Sequence, residues 1–172
     1  QVYLRSFADS NGDGIGDLAG LRSRLPYLSW LGVDALWINP HYPSGGADGG
    51  YDIVDYRAVD PDYGDVADLE ALVADARQLG LRVVLDVVPN HSSDRHPWFQ
   101  AALADPSAPE AGRYHFAPPS EEPPNNWQSL FGGPAWSRTA DGRWYLHLFA
   151  PEQPDLNWRD PAVAEDFDRT LR

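Results

Sequence analysis

A chain of 172 residues, 42% of them hydrophobic, is long enough to bury a core of its own and too apolar to be disordered. Its net charge of −13 excludes the basic face that nucleic-acid binding needs. No apolar run reaches the length of a membrane span, and the lack of cysteine rules out a disulfide framework and fits a reducing, cytoplasmic compartment.

The chain opens at Gln1, with neither Met nor a signal peptide, on a strand-like run, Val2–Phe7. That opening predicts that the true start lies upstream. The loop Asp9–Asp17 follows. Leu21, Leu25, Leu28 and Leu31 then have helical spacing, with Pro26 dividing or kinking the helix and Gly32 stopping it. Val33–Ile38 reads as a second strand. A polar, Gly-rich loop runs from His41 to Asp62, and Asp65 can cap the next helix. Leu69, Leu72, Val73, Ala76 and Leu79 line one face of that helix, and Gly80 ends it. Leu81–Val88 is a third strand, its near-continuous apolar run predicting burial on both faces. Residues 89–160 break the alternation, with a hairpin at Trp144–Phe149. Asp160-Pro161 opens a last helix.

Strand, helix and strand in alternation predict an α/β fold with a parallel sheet. Long polar loops after the strands and short turns before them fit a (β/α)₈ barrel, whose active site is built from those loops. A doubly wound sheet is the alternative, but it would favour a glycine fingerprint where this chain has carboxylates.

Asp9-Ser10-Asn11-Gly12-Asp13-Gly14-Ile15-Gly16-Asp17 places oxygen side chains at alternate positions. Asp9, Asn11, Asp13 and Asp17, with the carbonyl of Ile15, could cage a hard cation, Ca²⁺ or else Mg²⁺. A hydrogen-bonded Asx-turn loop without metal is the other reading. Gly20 stands where an EF-hand has its bidentate Glu, so a helix–loop–helix sensor is not expected. Asp48 near Tyr51 suits sugar recognition, a carboxylate for hydroxyls and a ring for a pyranose face, although the pair alone is also an ordinary turn. His91, at the end of the third strand, could donate to a sugar hydroxyl or serve structure alone. Asp86, near the same strand end, should meet an Arg or a polar network.

Together these segments resemble glycoside hydrolase family 13, the α-amylase family, most closely its α-glucosidase and oligo-1,6-glucosidase branch. The carrying motifs are Ser6–Leu18, Gly32–Pro40, Gly50–Ile53, Asp86–His91 and Gln153–Trp158, with Asn125–Trp127 and Phe131–Gly133 favouring that branch. The resemblance implies a partial (β/α)₈ TIM barrel, about the first three β/α units, with a small subdomain inserted after the third strand. Residues 1–91 would be barrel, 92–158 the insertion, and 159–172 the return to the barrel.

The implied chemistry is retaining hydrolysis of α-glucosidic bonds in malto- or isomalto-oligosaccharides, with one carboxylate attacking and a second acid protonating the leaving oxygen. In the family those groups follow later strands. None would fall within these 172 residues, and the chain alone would be inactive. Tyr51 matches the residue stacked under the reacting glucose, His91 the one on its primary hydroxyl, and Asp48 the one closing the non-reducing end. Phe131, Phe149 and Gln153 match further pocket positions, and Asp86 a structural position near the site. Asp9, Asn11, Asp13, Ile15 and Asp17 match the branch's metal loop. A non-catalytic, transporter-associated relative and a glucan transglycosylase or isomerase are the rival readings.

Overall fold

A computed structural model describes every residue from Gln1 to Arg172. The chain divides into two compact units, Gln1–Pro43 with Arg57–Val87, and Ser44–Tyr56 with Val88–Arg172. The second unit thus takes in both the 44–56 loop and the final helix, a cut that differs from one at residues 91 and 158.

The first unit has a parallel sheet. Strands β1 (Ala35–Ile38) and β2 (Arg82–Leu85) pair in register, Leu36 opposite Val83 and Ile38 opposite Leu85. Val2 joins the far side of β1 through a parallel bridge to Ile38, its N–H donating to the Trp37 carbonyl at 2.7 Å. The expected strand Val2–Phe7 goes no further than this. Leu4–Ser6 winds into a 3₁₀ turn, because the N–H groups of Ser6 and Phe7 bond back to the carbonyls of Tyr3 and Leu4. The strand-like composition lost to these local bonds.

Helices α1 (Leu18–Ser23) and α2 (Leu25–Leu31) come from the one predicted helix, divided as Pro26 requires. Gly32 ends α2 at φ 86°, a left-handed conformation that glycine adopts without a Cβ clash. Gly20 in α1 is required for another reason: a Cβ there would lie 1.9 Å from the Ala8 carbonyl oxygen. Helix α3 (Val66–Gln78) starts at a reciprocal capping box, with Asp65 accepting from the Asp68 N–H and Asp68 from that of Asp65. It buries Leu72 and Ala76, each 0% exposed, in a core shared with Leu21, Leu36 and Ile38. Each large aliphatic side chain buried in this way contributes roughly 1.5–3 kcal/mol.

Two burial expectations need correction. Val73 on α3 and Leu79 just after it remain exposed, and Val84 and Val87, in and after β2, are exposed as well. β2 is hydrogen-bonded to β1 alone. An apolar run reports a strand's preference for cover, and the cover must come from elsewhere in space.

The second unit is built around aromatic rings. A small antiparallel sheet has the order β3 (Phe116–Ala117), β5 (Trp144–Leu146), β4 (Trp136–Arg138). The expected hairpin at 144–149 is therefore shifted. Residues 144–146 are its second strand, and the turn is Thr139–Gly142. Phe99 of α4 (Pro97–Ala104) is 2% exposed and packs against the rings of Tyr114, Phe116 and Tyr145. Helix α5 (Pro161–Thr170) begins where Asp160 caps the Ala162 N–H, as the sequence predicts, and buries Phe167 against Tyr56 and Trp158. No helix is long and apolar enough to cross a membrane.

Candidate functional site

In the first unit, loop 9–17 is closed by its own hydrogen bonds. Asp9 accepts from the N–H groups of Asn11, Gly12 and Gly14 at 2.7–3.1 Å. Asp13 accepts from the Ile15 N–H at 2.7 Å and from the Asn11 amide at 2.9 Å. Asp17 takes the Ser10 N–H and hydroxyl on one oxygen and the Gly20 N–H on the other, which makes it the N-cap of α1. The N–H groups of Gly14 and Gly12 hold Asp9 below the usual carboxylate range. Burial pushes Asp17 up, but the bonds from Ser10 and Gly20 outweigh it and leave it lowered too. No three acidic or histidine side chains of the chain converge as a metal site. In this state the acceptors are satisfied by the backbone, and a carboxylate oxygen so engaged still has lone pairs to offer.

Asp86, expected to meet an Arg or a polar network, takes part in polar contacts with Trp37 and Tyr42. Its Oδ1 accepts from the Trp37 indole N–H at 2.6 Å, and its carbonyl accepts from the Tyr42 hydroxyl at 2.8 Å. An indole is a neutral donor, so this contact orients the carboxylate without neutralising it.

The second unit brings together all six residues read as sugar-binding. The Gln153 amide donates to Asp48 Oδ2 at 2.9 Å across 105 positions of sequence. Gln153 is itself fully buried and fixed by the Ala150 N–H on its oxygen. His91, 3% exposed, has Nε2 at 3.2 Å from the Tyr51 carbonyl and Nδ1 at 3.2 Å from the Asn90 amide nitrogen. Burial lowers the His91 pKa against the opposing pull of that carbonyl, Asp48 and Asp52, so the ring is neutral near pH 7. The Phe149 ring lies 5.1 Å from His91, and Phe131 meets Phe149 edge-on at 5.6 Å. Phe131 and Phe149 also line a cavity of about 260 Å³ with Trp136 and His147.

The loop carrying Asp48 and Tyr51 has its own frame. The Tyr51 N–H donates to the Asp48 carbonyl at 2.9 Å. Fully buried Asp52 accepts from the Ser44 hydroxyl at 2.6 Å and the Asp48 N–H at 3.4 Å. A Cβ on Gly45 would stand 2.5 Å from Asp52 Oδ2, so this turn admits only glycine there without rearrangement.

The model of the α-amylase catalytic domain matches residues 1–172. The chain belongs to the α-amylase family. This α-amylase-family chain is 49% identical to an α-glucosidase of Culex pipiens, over 99% of its own length and 30% of that protein. It is 47% identical to an oligo-1,6-glucosidase of Halalkalibacterium halodurans, over 96% of its length and 30% of the relative. Among solved structures it matches the isomaltulose synthase of a Klebsiella species with a TM-score of 0.96 and 48% identity, covering 99% of this chain and 31% of that one. Its fold is accordingly that of the family's catalytic domain, a TIM-barrel family. The chain spans about a third of the length of these relatives.

Sequence reading gave no role to two polar residues that hold this α-amylase-family site together, although both lie inside the motifs that carry the resemblance. Asn90 donates to Asp155 at 3.0 Å, and Asp155 accepts the Leu148 N–H at 3.0 Å. Burial pushes the Asp155 carboxyl up to about 6 despite those two donors. The available signal was their position, each one residue or two from a predicted pocket residue.

Proposed function

We propose that this chain is the N-terminal part of the catalytic barrel of a retaining α-glucoside-cleaving enzyme, and that Asp48, Tyr51, His91, Phe131, Phe149 and Gln153 form its share of a glucose pocket. The observation that carries the reading is the convergence of those six residues in one unit, in a chain of this family. In this reading residues 1–91 are about the first three β/α units, 92–158 the inserted subdomain and 159–172 the return to the barrel. Tyr51 offers a stacking face, His91 and Gln153 offer hydrogen-bond donors, and Asp48 a charged acceptor. Held at several points, a glucose unit is oriented for attack by a carboxylate supplied by a later strand. The isolated 172 residues supply neither that nucleophile nor the acid and cleave nothing.

The test uses the full-length protein and the isolated segment side by side on p-nitrophenyl α-glucoside, maltose, isomaltose and sucrose. We expect release of glucose by the full-length protein only. Activity in the isolated segment that disappears in Asp86→Asn would overturn the assignment of roles. A sucrose-isomerising enzyme is a second reading, favoured by the structural match to an isomaltulose synthase. It requires isomaltulose or trehalulose, with little free glucose, as the product from sucrose.

We also propose that loop 9–17 takes one divalent cation, Ca²⁺ before Mg²⁺, on Asp9, Asn11, Asp13, Asp17 and the Ile15 carbonyl. Three carboxylates in nine residues support this, since a cation would relieve their mutual repulsion. Calorimetric titration of the full-length protein should show one saturable site and a rise in Tm. A flat titration with an unchanged Tm would leave the metal-free turn as the answer.

A further inference from the structure

Asp155, Asn90 and His91 form a chain of hydrogen bonds whose direction follows from chemistry. An ionised carboxylate can only accept, so Asn90 must turn its NH₂ group toward Asp155 Oδ1, at 3.0 Å. The same nitrogen lies 3.2 Å from His91 Nδ1, and its second hydrogen is available there. A ring nitrogen facing an N–H must carry a lone pair. The proton of the neutral ring therefore sits on Nε2, which faces the Tyr51 carbonyl at 3.2 Å, a group that can only accept. Both ends of the chain demand the same tautomer.

The anchor is rigid. Asp155 is 4% exposed, and the same Oδ1 also accepts from the Leu148 N–H at 3.0 Å. Its backbone bridges His91 in antiparallel fashion, with the Leu156 N–H on the Asn90 carbonyl and the Ser92 N–H on that of Pro154, while its own N–H donates to the Leu146 carbonyl. Gln153, two residues earlier, holds Asp48. One short segment thus reaches both ends of the 48–51 loop, directly at Asp48 and through two side chains at Tyr51.

We propose that Asp155 is a positioning residue that acts through Asn90 to fix His91 as the Nε2–H tautomer and thereby ties the ring to the Tyr51 backbone. This deepens the α-glucoside reading and rests on it for its kinetic arm. The role differs from simple bracing, because it depends on which partner donates and which accepts.

Exchanging the partners separates the two. In Asn90→Asp/Asp155→Asn the hydrogen bond between the two positions is rebuilt with donor and acceptor reversed. The carboxylate now facing His91 Nδ1 demands a proton on that nitrogen. In the full-length protein, long-range ¹⁵N–¹H correlation spectra should show His91 protonated at Nε2 in the wild type and at Nδ1 in the exchange variant, with His91→Asn giving the assignment. The Tm of the exchange variant should exceed that of Asp155→Ala but stay below wild type, because the Leu148 N–H loses its acceptor, while kcat/KM stays about tenfold down, the scale of one hydrogen bond to a charged group. Asn90→Ala and Asp155→Ala should both weaken the preference, adding an Nδ1–H population against the remaining pull of the Tyr51 carbonyl. If Asp155→Ala fails to fold, Asn90→Ala and the exchange variant still decide. Wild-type His91 protonated at Nδ1, or an exchange variant that recovers activity together with Tm, would overturn the proposal. A wild type inactive on every α-glucoside would sink the functional reading alone, since the spectra report the tautomer independently of turnover.

Discussion

The two units hold carboxylates by opposite means. In loop 9–17, Asp9 and Asp17 accept from N–H groups at most seven residues away, and those donors lower both below the usual range. In the second unit, beside Asn90 and His91, Asp155 is 4% exposed, its bond to Asn90 spans 65 positions, and burial raises it to about 6. The difference is the balance between donors and desolvation. A loop that wraps its own backbone around a carboxylate favours the ion, whereas a packed site with fewer donors favours the proton.

The two should therefore respond to pH with opposite sign. A carboxyl raised in the folded state binds its proton more tightly there. Its contribution is fully present below the unfolded value of 3.8 and is lost as pH rises toward about 6. The loop acids contribute stability above the unfolded value and lose it as pH falls through their lowered folded values. The largest effect belongs to Asp155, for which this difference amounts to about 3 kcal/mol. In urea unfolding of the full-length protein, wild type should lose ground against Asp155→Asn between pH 4 and pH 7. A stability difference that stays flat with pH would remove Asp155 from the comparison.

Next in size are the pocket residues. Tyr51→Ala and His91→Asn in the full-length protein should each lower kcat/KM on a p-nitrophenyl α-glucoside roughly a hundredfold, the cost of a misplaced substrate. Far-UV circular dichroism should not change. Losses that track a fall in Tm would mean that both residues serve the loop frame and not the sugar.

What the sequence disclosed follows the same division. Local devices were legible: the Pro26 break, the Gly32 cap, the Asp65 capping box and the Asp160 cap each depend on neighbours a few positions away. The meeting of Gln153 with Asp48 was approachable only through the family's motifs, because no spacing rule joins the two. The roles of Asn90 and Asp155 were not legible at all. A motif lists residues without saying which hydrogen-bonds to which, and their function lies in that pairing. The misread burial of Val73, Val84 and Val87 has a related cause, since composition states what a face prefers and not what covers it.

The smallest effect tests whether loop 9–17 needs only its own hydrogen bonds. Asp17 has two possible duties, capping α1 through the Gly20 N–H at 2.6 Å and lending an oxygen to a cation. Asparagine can do the first nearly as well as aspartate, but it is a weaker cation ligand. With chelator present, Asp17→Ala should cost about 1 kcal/mol in the full-length protein, the usual value of a lost N-cap. Asp17→Asn should cost less than Asp17→Ala, because the amide oxygen still accepts from Gly20 while the Ser10 N–H loses its acceptor. Added Ca²⁺ should then widen the gap between wild type and Asp17→Asn, since the amide is the weaker cation ligand. At a hundredfold excess over Kd a full site would add about 2.7 kcal/mol to the wild type. If the gap between the two proteins is the same at every Ca²⁺ concentration, Asp17 lends nothing to a cation, and the loop stands by its own donors alone.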